Sequence, residues 1–368
     1  MKRLIRHILI FILPLLLLGI FCTIVLYSAG ELFVKNNCKP LQDDQLIGLA
    51  YTDINAPYKY EMTRFFQPDV VALGSSRIMQ VKGYVVNDTL TFYNAGGAAG
   101  ILYEYELFLD MINYSPKLFF ISLDQWAFNP NYLNQKTSFN KDCYEFEETG
   151  IIFKYKNLLT DFVLGKIDLG SIFDKNNMNI GLNGKIKNSG FLKDGSYYYG
   201  GTIANPTAAR DYNFKDTYER IDQGRSRFQY CAEADTSNLV VIDSFLSKCT
   251  KQGITVIAIL PPFAPLVCEK MDKTWHYNYM SQVYGILSPV FDNHPNCYLY
   301  DYTDMRSMGV HDYDFVDGFH GSDIIYNLII QDIIIRNHEI ENFFISKEEI
   351  DSINNQYNRQ NIRFHSFE

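Results

Sequence analysis

Short apolar runs alternate with helical patterns over much of the chain. Five runs have the length and composition of buried strands, at 69–73, 89–94, 117–123, 254–260 and 297–301. Segments with helical features predict helices between and after them, at 101–113, 237–252, 277–286 and 322–336. Strands that alternate with helices are typical of β-α-β units and a parallel sheet. The pattern therefore predicts an α/β protein, a three-layer α/β/α sandwich with a mainly parallel five-stranded sheet.

The alternation fails between about 128 and 227. This stretch is rich in Asn, Lys, Tyr and Gly and contains short amphipathic pieces such as 151–164. We interpret it as a large insertion, folded into a cap or side lobe, within a domain over 67–340. Residues 31–66 have no clear period and are predicted to lead the chain to that domain. Residues 341–368 are predicted to form a C-terminal tail.

The longest apolar run lies near the N-terminus. Three basic residues precede an uncharged stretch of 20 residues from Ile8 to Tyr27. At helical rise this stretch matches the hydrocarbon thickness of a bilayer, and the basic flank favours an N-terminus in the cytoplasm. A cleaved signal peptide is the alternative, because Ser28-Ala29-Gly30 offers small residues to a peptidase. Since the run is longer than a usual signal core, residues 1–30 are predicted to be a single-pass anchor. Both interpretations put the rest of the chain outside the cytoplasm.

The net charge of the chain limits the classes of ligand that it is expected to bind. The formal net charge is −9, and it is about −12 beyond the anchor because three of the 33 Lys and Arg residues precede the apolar run. Such a charge disfavours nucleic acid or anionic lipid as a ligand, but not a neutral polymer or a small acyl compound. No cysteine pair has C-x-x-C spacing, and the histidines outside 314–323 lack metal-ligand spacing with one another. No metal or cofactor is therefore predicted.

Two small-residue turns follow the first two predicted strands. Gly74-Ser75-Ser76 follows the first strand, and Asn94-Ala95-Gly96-Gly97 follows the second. Residues after parallel strands lie at the carboxyl edge of the sheet, where such folds bind ligands. Taken alone, either serine could simply cap the helix that follows. The turns therefore predict a site only if further groups reach the same edge.

Asp317 and His320 supply those groups, because they lie in the loop after the last predicted strand. A spacing of three lets a carboxylate bind one imidazole nitrogen while the other nitrogen faces the neighbouring strand ends. A serine hydroxyl needs such a base, since it is a poor nucleophile until its proton is removed. Taken alone, the pair could be an Asp-capped turn with an exposed histidine. Convergence of the three stretches on one edge favours catalysis, with Ser76 as the attacking residue.

These motifs resemble the SGNH (GDSL-like) hydrolase superfamily over about 69–125 and 237–336. The resemblance implies a flavodoxin-like arrangement of the sheet. It also implies that Ser76 is the nucleophile, Asp317 the orienting acid and His320 the base.

The same resemblance implies an oxyanion hole. Its donors would be the backbone N–H groups of Ser76 and of Gly96 or Gly97. The chain departs from the family in having Gly-Ser-Ser for Gly-Asp-Ser, and it lacks the Gly-x-Asn-Asp block. Asp124 or Gln125 stands at that third position. Only Gln125 could donate to an oxyanion, because an ionised Asp124 would repel it.

The Gly-Ser-Ser motif, together with a Gln-Trp pair at the end of a strand, is similar to the motifs of one membrane-anchored branch of this superfamily. Proteins of that branch modify teichoic acids and alginate. That resemblance implies acyl transfer, most commonly of acetyl, to a cell-surface or exported polysaccharide through an acyl-serine intermediate. It also implies that a multi-pass membrane O-acyltransferase delivers the acyl donor. Asn94 and Trp126 are candidate substrate-binding residues. Arg77 could bind a carbohydrate or an anionic group, or pair with an acidic neighbour.

Two other functions remain open from the sequence. The same residues could serve an esterase that uses water as the acceptor. The fold could also belong to a non-catalytic carbohydrate-binding or assembly subunit.

Overall fold

The computed structural model describes residues 2–132, 141–360 and 362–367. Its helices are α1 (Lys2–Ala29), α2 (Val34–Asn37), α3 (Asn55–Phe66), α4 (Tyr103–Ile112), α5 (Ile151–Val163), α6 (Leu169–Phe173), α7 (Leu182–Lys187), α8 (Gly200–Ala204), α9 (Lys215–Gln223), α10 (Leu239–Lys251), α11 (Pro265–Asp272), α12 (Asn278–Asp292), α13 (Asp323–Arg336) and α14 (Lys347–Gln360). Its strands are β1 (Val70–Gly74), β2 (Phe92–Gly96), β3 (Leu118–Ser122), β4 (Ser189–Phe191), β5 (Tyr197–Tyr199), β6 (Thr255–Leu260), β7 (Cys297–Asp301), β8 (Phe315–Asp317) and β9 (His320–Gly321).

The central sheet confirms the predicted fold class. Its five strands are all parallel and lie in the order β2-β1-β3-β6-β7. Successive side chains point to opposite faces of a strand. In β3, Phe119 packs on Phe245 of α10 with ring centroids 6.0 Å apart, and Phe120 packs on Phe344 at 6.3 Å. Both faces of the sheet are thus covered, which explains why the strands are continuous apolar runs.

The chain divides into two compact units. The larger unit comprises Asn55–Tyr144, Asp194–Tyr197 and Gly201–Glu368 and contains the central sheet. The smaller unit comprises Met1–Ile54, Glu145–Lys193 and Tyr198–Gly200. The stretch interpreted from the sequence as an insertion contributes to both units.

The smaller unit is built around the C-terminal end of α1. Residues from the last turns of that helix share a buried apolar cluster with Leu158, Ile172 and Leu182. Just beyond the helix, the buried Glu31 carboxylate accepts hydrogen bonds from the backbone N–H groups of Ala50 and Leu182, at 2.8 and 2.9 Å. These bonds satisfy a buried charge and hold the chain where it leaves the helix.

One segment among the described residues, Ile12–Asn37, is long and apolar enough to cross a membrane, with a mean hydropathy of 2.4. Side chains in its first half, such as Leu15, Leu16 and Leu17, are more than half exposed. The sequence prediction of a helix able to span a bilayer is confirmed to that extent.

Helix α3 lies in the stretch that showed no period in the sequence. Aromatic, charged and small residues alternate along it, so no apolar face stands out from the letters alone. Its Lys59 is buried, and the ammonium group donates to the carbonyl oxygen of Asn94 at 2.9 Å. Burial lowers the pKa of Lys59 well below its usual value. A helix that buries a lysine next to the sheet edge is specified by tertiary contacts rather than by amphipathic pattern.

Gly74 at the end of β1 is required by the close approach of β3. Its φ of 156° lies outside the range that other residues readily adopt. A Cβ at this position would overlap the Ser122 side-chain oxygen and would lie 3.2 Å from the Ser122 carbonyl oxygen. The glycine of the Gly-Ser-Ser turn is therefore needed for packing of the two strands.

Gly74→Ala is expected to destabilise the protein by about 1–3 kcal/mol, because the added methyl group must displace the end of β3. Thermal unfolding of the full chain in detergent micelles measures the change. Gly285→Ala in α12 is the matched control, since a Cβ there would meet no described atom within 4 Å. The control should be as stable as the wild type or more stable by about 0.5–1 kcal/mol. Equal melting of Gly74→Ala and the wild type would contradict this account of the turn.

Candidate functional site

The two serines after β1 have different surroundings. Ser75 precedes a 3₁₀ turn over Ser76–Ile78, and its side-chain oxygen accepts a hydrogen bond from the backbone N–H of Arg77 at 3.2 Å. It therefore caps the turn, as the sequence allowed for either serine. The Ser76 side chain is partly exposed and points elsewhere.

Ser76, His320 and Asp317 are brought together at the carboxyl edge of the sheet. The Ser76 Oγ lies 2.8 Å from His320 Nε2, and His320 Nδ1 lies 2.7 Å from Asp317 Oδ2. With the proton on Nδ1 donated to the carboxylate, Nε2 is an acceptor for the serine hydroxyl. The His320 and Asp317 side chains are only 12% and 24% exposed. This arrangement can deprotonate the serine and hold the resulting imidazolium.

A tight hairpin positions Asp317 and His320. The sequence placed both residues in a loop, whereas the structure pairs β8 and β9 as antiparallel strands with Asp317 opposite His320. One carboxylate oxygen of Asp317 accepts the N–H groups of Phe319 and His320 at 3.0 and 2.9 Å, and the other binds the imidazole. Outside the turn, Asp211 accepts the Gly318 N–H at 3.0 Å. The carboxylate thus shapes the turn and orients the ring.

The surroundings of Asp317 favour its ionised form. Burial alone would raise the pKa of this carboxyl group, but the charge and hydrogen bond of His320 and the two backbone N–H donors outweigh it. The pKa of Asp317 therefore lies below its usual value of 3.8. A carboxylate charged at neutral pH is what the orienting role requires.

Arg77 is buried, so its guanidinium has no exposed face for a substrate. Its Nε donates to the carbonyl oxygen of Phe319 at 3.0 Å, and its Nη2 donates to those of Pro261 and Pro262 at 2.7 and 2.5 Å. Its Nη1 lies 3.6 Å from Asp124. Of the two roles that the sequence left open for Arg77, the pairing with an acidic neighbour is what the structure contains. The residue links the turn at Ser76, the end of β6 and the hairpin of β8 and β9.

The side-chain amide of Gln125 also makes its hydrogen bonds within the protein. Its amide nitrogen donates to the Pro261 carbonyl at 2.7 Å and to Thr303 Oγ1 at 2.8 Å, and its oxygen accepts Arg77 Nη1 at 2.7 Å. Both amide hydrogens are therefore used. In this structure Gln125 holds Arg77 in place and offers no free donor to an oxyanion.

Burial raises the pKa of the adjacent Asp124, and the nearby Arg77 charge opposes that effect.

Asn94 shapes the second turn from within the core. Its side-chain nitrogen donates to the carbonyl oxygens of Ile78 and Val81, at 2.9 and 2.8 Å, and its oxygen accepts the Gly96 N–H at 2.8 Å. Asn94 is completely buried, which leaves no surface for a substrate.

The predicted oxyanion donors differ in their availability. The Gly97 N–H donates to the carbonyl oxygen of Gly74 at 2.8 Å, and the Gly96 N–H is held by Asn94. The Ser76 N–H has no hydrogen-bond partner among the described residues. Of the backbone donors proposed from the sequence, the one at Ser76 is thus open in this structure.

Comparisons with family models, with curated proteins and with solved structures found no match to this chain.

Trp126, a candidate substrate-binding residue, is 2% exposed and packs edge-on against Phe319, with ring centroids 6.0 Å apart.

One charged residue near the site, Arg227, was not predicted from the sequence. The guanidinium carbon of Arg227 lies 5.3 Å from the Trp126 ring centroid and 5.6 Å from that of Phe319. Arg227 comes from the stretch without sequence periodicity, where no motif distinguishes it from neighbouring arginines. Only the fold brings it beside the hairpin.

Replacing Arg77 by Met is expected to destabilise the protein by about 3–5 kcal/mol, because it leaves the buried Asp124 and several carbonyl oxygens unpaired. Chemical unfolding of the full chain in detergent measures the loss. Arg64→Met is the control, since the exposed Arg64 pairs with Glu61 at 4.0 Å and lies 5.3 Å from the Tyr60 ring centroid, contacts that contribute little at the surface. Equal stability of the two variants would show that Arg77 does not link the site as described.

The depressed pKa of Asp317 predicts a pH-dependent stability difference between the wild type and Asp317→Asn. The ionised carboxylate stabilises the fold above its unfolded-state pKa of about 3.9. That contribution is lost as the pH falls through the lower folded-state pKa. The difference in unfolding free energy should therefore be constant above about pH 5 and should shrink below about pH 4. A difference that stays constant from pH 3 to 6 would contradict the assignment.

Proposed function

We propose that this chain is a membrane-anchored, extracytoplasmic enzyme of the SGNH type that transfers an acyl group, in the first instance acetyl, to a glycan hydroxyl. The observation that carries the proposal is the chain of contacts from Ser76 through His320 to Asp317, at 2.8 and 2.7 Å. Its support in the sequence is the resemblance of the Gly-Ser-Ser, Asn-Ala-Gly-Gly and Asp-x-x-His stretches to that superfamily.

The first half of the reaction acylates the serine. Ser76 Oγ attacks the carbonyl carbon of the acyl donor while its proton passes to His320 Nε2. Asp317 stabilises the imidazolium that forms. When the tetrahedral intermediate collapses, the bond to the leaving group breaks and that group takes the proton from His320. The products are the acyl-serine and the free leaving group.

The second half returns the enzyme to its starting state. A glycan hydroxyl gives its proton to His320 Nε2 and attacks the acyl-serine carbonyl carbon. Collapse releases the glycan ester, and Ser76 Oγ recovers the proton. Water in place of the glycan hydroxyl would make the same residues an esterase.

The oxyanion of each intermediate needs hydrogen-bond donors. The Ser76 N–H is open and would supply the first. A second donor from Gly96 or Gly97 requires that glycine to exchange its present internal bond when substrate binds. Catalytic hydrogen bonds often form fully only in the substrate complex.

The proposed location depends on α1. This helix would anchor the chain with its N-terminus in the cytoplasm, and the Ser76 site would face the outside. An acyl donor in that compartment would be supplied by a multi-pass membrane O-acyltransferase. The length of the apolar segment and the basic residues before it support this arrangement.

Ser76→Ala is expected to reduce acylation by at least about 10³-fold, because the proposed acyl-enzyme forms on the Ser76 oxygen. The full chain in detergent is incubated with 4-nitrophenyl acetate, quenched in acid and examined by peptide mass spectrometry for an acetyl group on Ser76. Ser75→Ala is the matched control and should still be acetylated, with a loss of about 1 kcal/mol in stability from the missing cap.

Adding oligosaccharide to the same assay tests the acceptor. Acetylated sugar supports transfer, whereas rapid hydrolysis unaffected by sugar would favour an esterase. Failure of Ser76 to react with either the acetyl ester or a serine-directed phosphonate would reject catalysis and favour a non-catalytic subunit.

A further inference from the structure

The C-terminal end of α5 presents consecutive apolar side chains at the surface of the smaller unit. Phe162, Val163 and Leu164 are all exposed, and Val163 is 84% exposed. The next residue, Gly165, has a φ of 69° and ends the helical run. Single exposed apolar residues are common on proteins, whereas a contiguous group of them marks a surface that binds a partner or a membrane. We call residues 162–164 the apolar tip.

Helix α5 packs against the end of α1 and runs in the opposite direction. At the tip, the ring of Phe162 lies 6.1 Å from that of Phe21, between centroids. Near the start of α5, the Nζ of Lys154 donates to the carbonyl oxygen of Glu31 at 2.6 Å, just beyond the end of α1. The apolar tip therefore lies at the level of Phe21, several residues before α1 ends.

The position of Phe21 along α1 sets the depth of the tip. The uncharged run extends from Ile8 to Tyr27. Because a helix rises 1.5 Å per residue, Phe21 lies about 20 Å from the start of that run and about 10 Å before its end. The hydrocarbon core of a bilayer is about 30 Å thick, which is the length of the whole run. A span that began nearer the N-terminus would draw Arg6 into hydrocarbon, which is costly.

The exposed face of α1 is apolar at the same level. Cys22, Val25 and Leu26 point into the buried cluster of the smaller unit. On the outward face, the side chains of Ile24 and Tyr27 are at least half exposed. Tyrosine is favoured where hydrocarbon meets the headgroups, so Tyr27 suits the outer boundary of the span. The tip is thus continuous in depth with a helix surface that also suits lipid.

Charged groups next to the tip already have partners within the smaller unit. Lys166 Nζ lies 3.2 Å from Asp161 Oδ1, and Asp161 Oδ2 accepts the hydroxyl of Tyr51 at 2.9 Å. The carboxylate of Asp168 accepts the N–H of Gly170 at 2.9 Å. A lysine chain can also lie along an apolar surface while its ammonium group reaches water. These groups can therefore lie at the headgroup boundary while the tip lies deeper.

We propose that the apolar tip is immersed in the outer leaflet of the bilayer, beside α1, so that the smaller unit itself contacts lipid. Segments that lie in a membrane interface bury their apolar side chains about 5–10 Å deep, which agrees with the depth set by Phe21. The inference rests on the proposed anchoring by α1 and adds a second contact between the protein and the membrane. It requires no particular chemistry at Ser76.

Tryptophan fluorescence in lipid vesicles tests the immersion. The full chain carrying Val163→Trp is reconstituted in phosphatidylcholine vesicles, with and without bromine on the acyl chains, since bromine quenches only tryptophans that it contacts. Emission of the wild type, which contains Trp126 and Trp275, is subtracted. We expect brominated lipid to remove at least about half of the added emission, and acrylamide in the water to remove little of it.

Two further variants calibrate the result. Ile152→Trp is the matched control, because Ile152 is 81% exposed at the other end of α5. The length of helix between the two positions places it about 17 Å further from the bilayer centre. Its added emission should respond to acrylamide and not to brominated lipid. Leu15→Trp, within the apolar run, should respond to brominated lipid alone. Thermal unfolding of each variant in detergent checks that it is folded.

The inference is rejected if acrylamide quenches Val163→Trp as strongly as Ile152→Trp, because the tip is then in water. It is also rejected if neither quencher reaches Val163→Trp, since a second copy of the chain then covers the tip. Failure of brominated lipid to quench Leu15→Trp would reject the anchoring by α1 and this inference with it. Acetylation of Ser76 is measured separately, so the acyl-transfer chemistry can fail while the tip is in lipid, and the reverse.

Discussion

The geometry of the site depends on one buried cation. Arg77 follows Ser76 directly in the chain, and its guanidinium binds the Phe319 carbonyl of the hairpin and the Pro261 and Pro262 carbonyls after β6. A buried guanidinium is costly unless its donors are satisfied, so these segments can move apart only at a large penalty. The 2.8 Å contact between Ser76 and His320 is therefore a consequence of how Arg77 is bonded.

Polar groups around the site differ in whether they have hydrogen-bond partners within the protein. The Gln125 and Asn94 side chains use both of their amide hydrogens internally, and Asp317 divides its two oxygens between the turn and the imidazole. Against this background, the N–H of Ser76 stands out, because it has no hydrogen-bond partner among the described residues. Buried polar groups are normally paired within a protein, so an unpaired N–H next to the serine and histidine contact is available to a bound molecule.

The sequence predicted the elements of the sheet well because buried parallel strands are apolar throughout and end in small or polar residues. It did not predict α3, whose buried Lys59 breaks any apolar face, or the hairpin of β8 and β9. It also predicted Asn94 as a substrate-binding residue and Gln125 as an oxyanion donor. Both are short polar residues at strand ends, and sequence cannot tell whether such a side chain turns outward to a ligand or inward to neighbouring carbonyl groups.

The sequence by itself determined the fold class, the apolar N-terminal helix and the local pairing of Asp317 with His320, because each depends on periodicity, length or short spacing. The tertiary structure decided which groups meet across long separations. Ser76 and His320 are 244 residues apart, and Arg227 reaches the hairpin from a stretch without any pattern. Such contacts depend on how segments pack and on which buried donors find acceptors, and neither is encoded in local spacing.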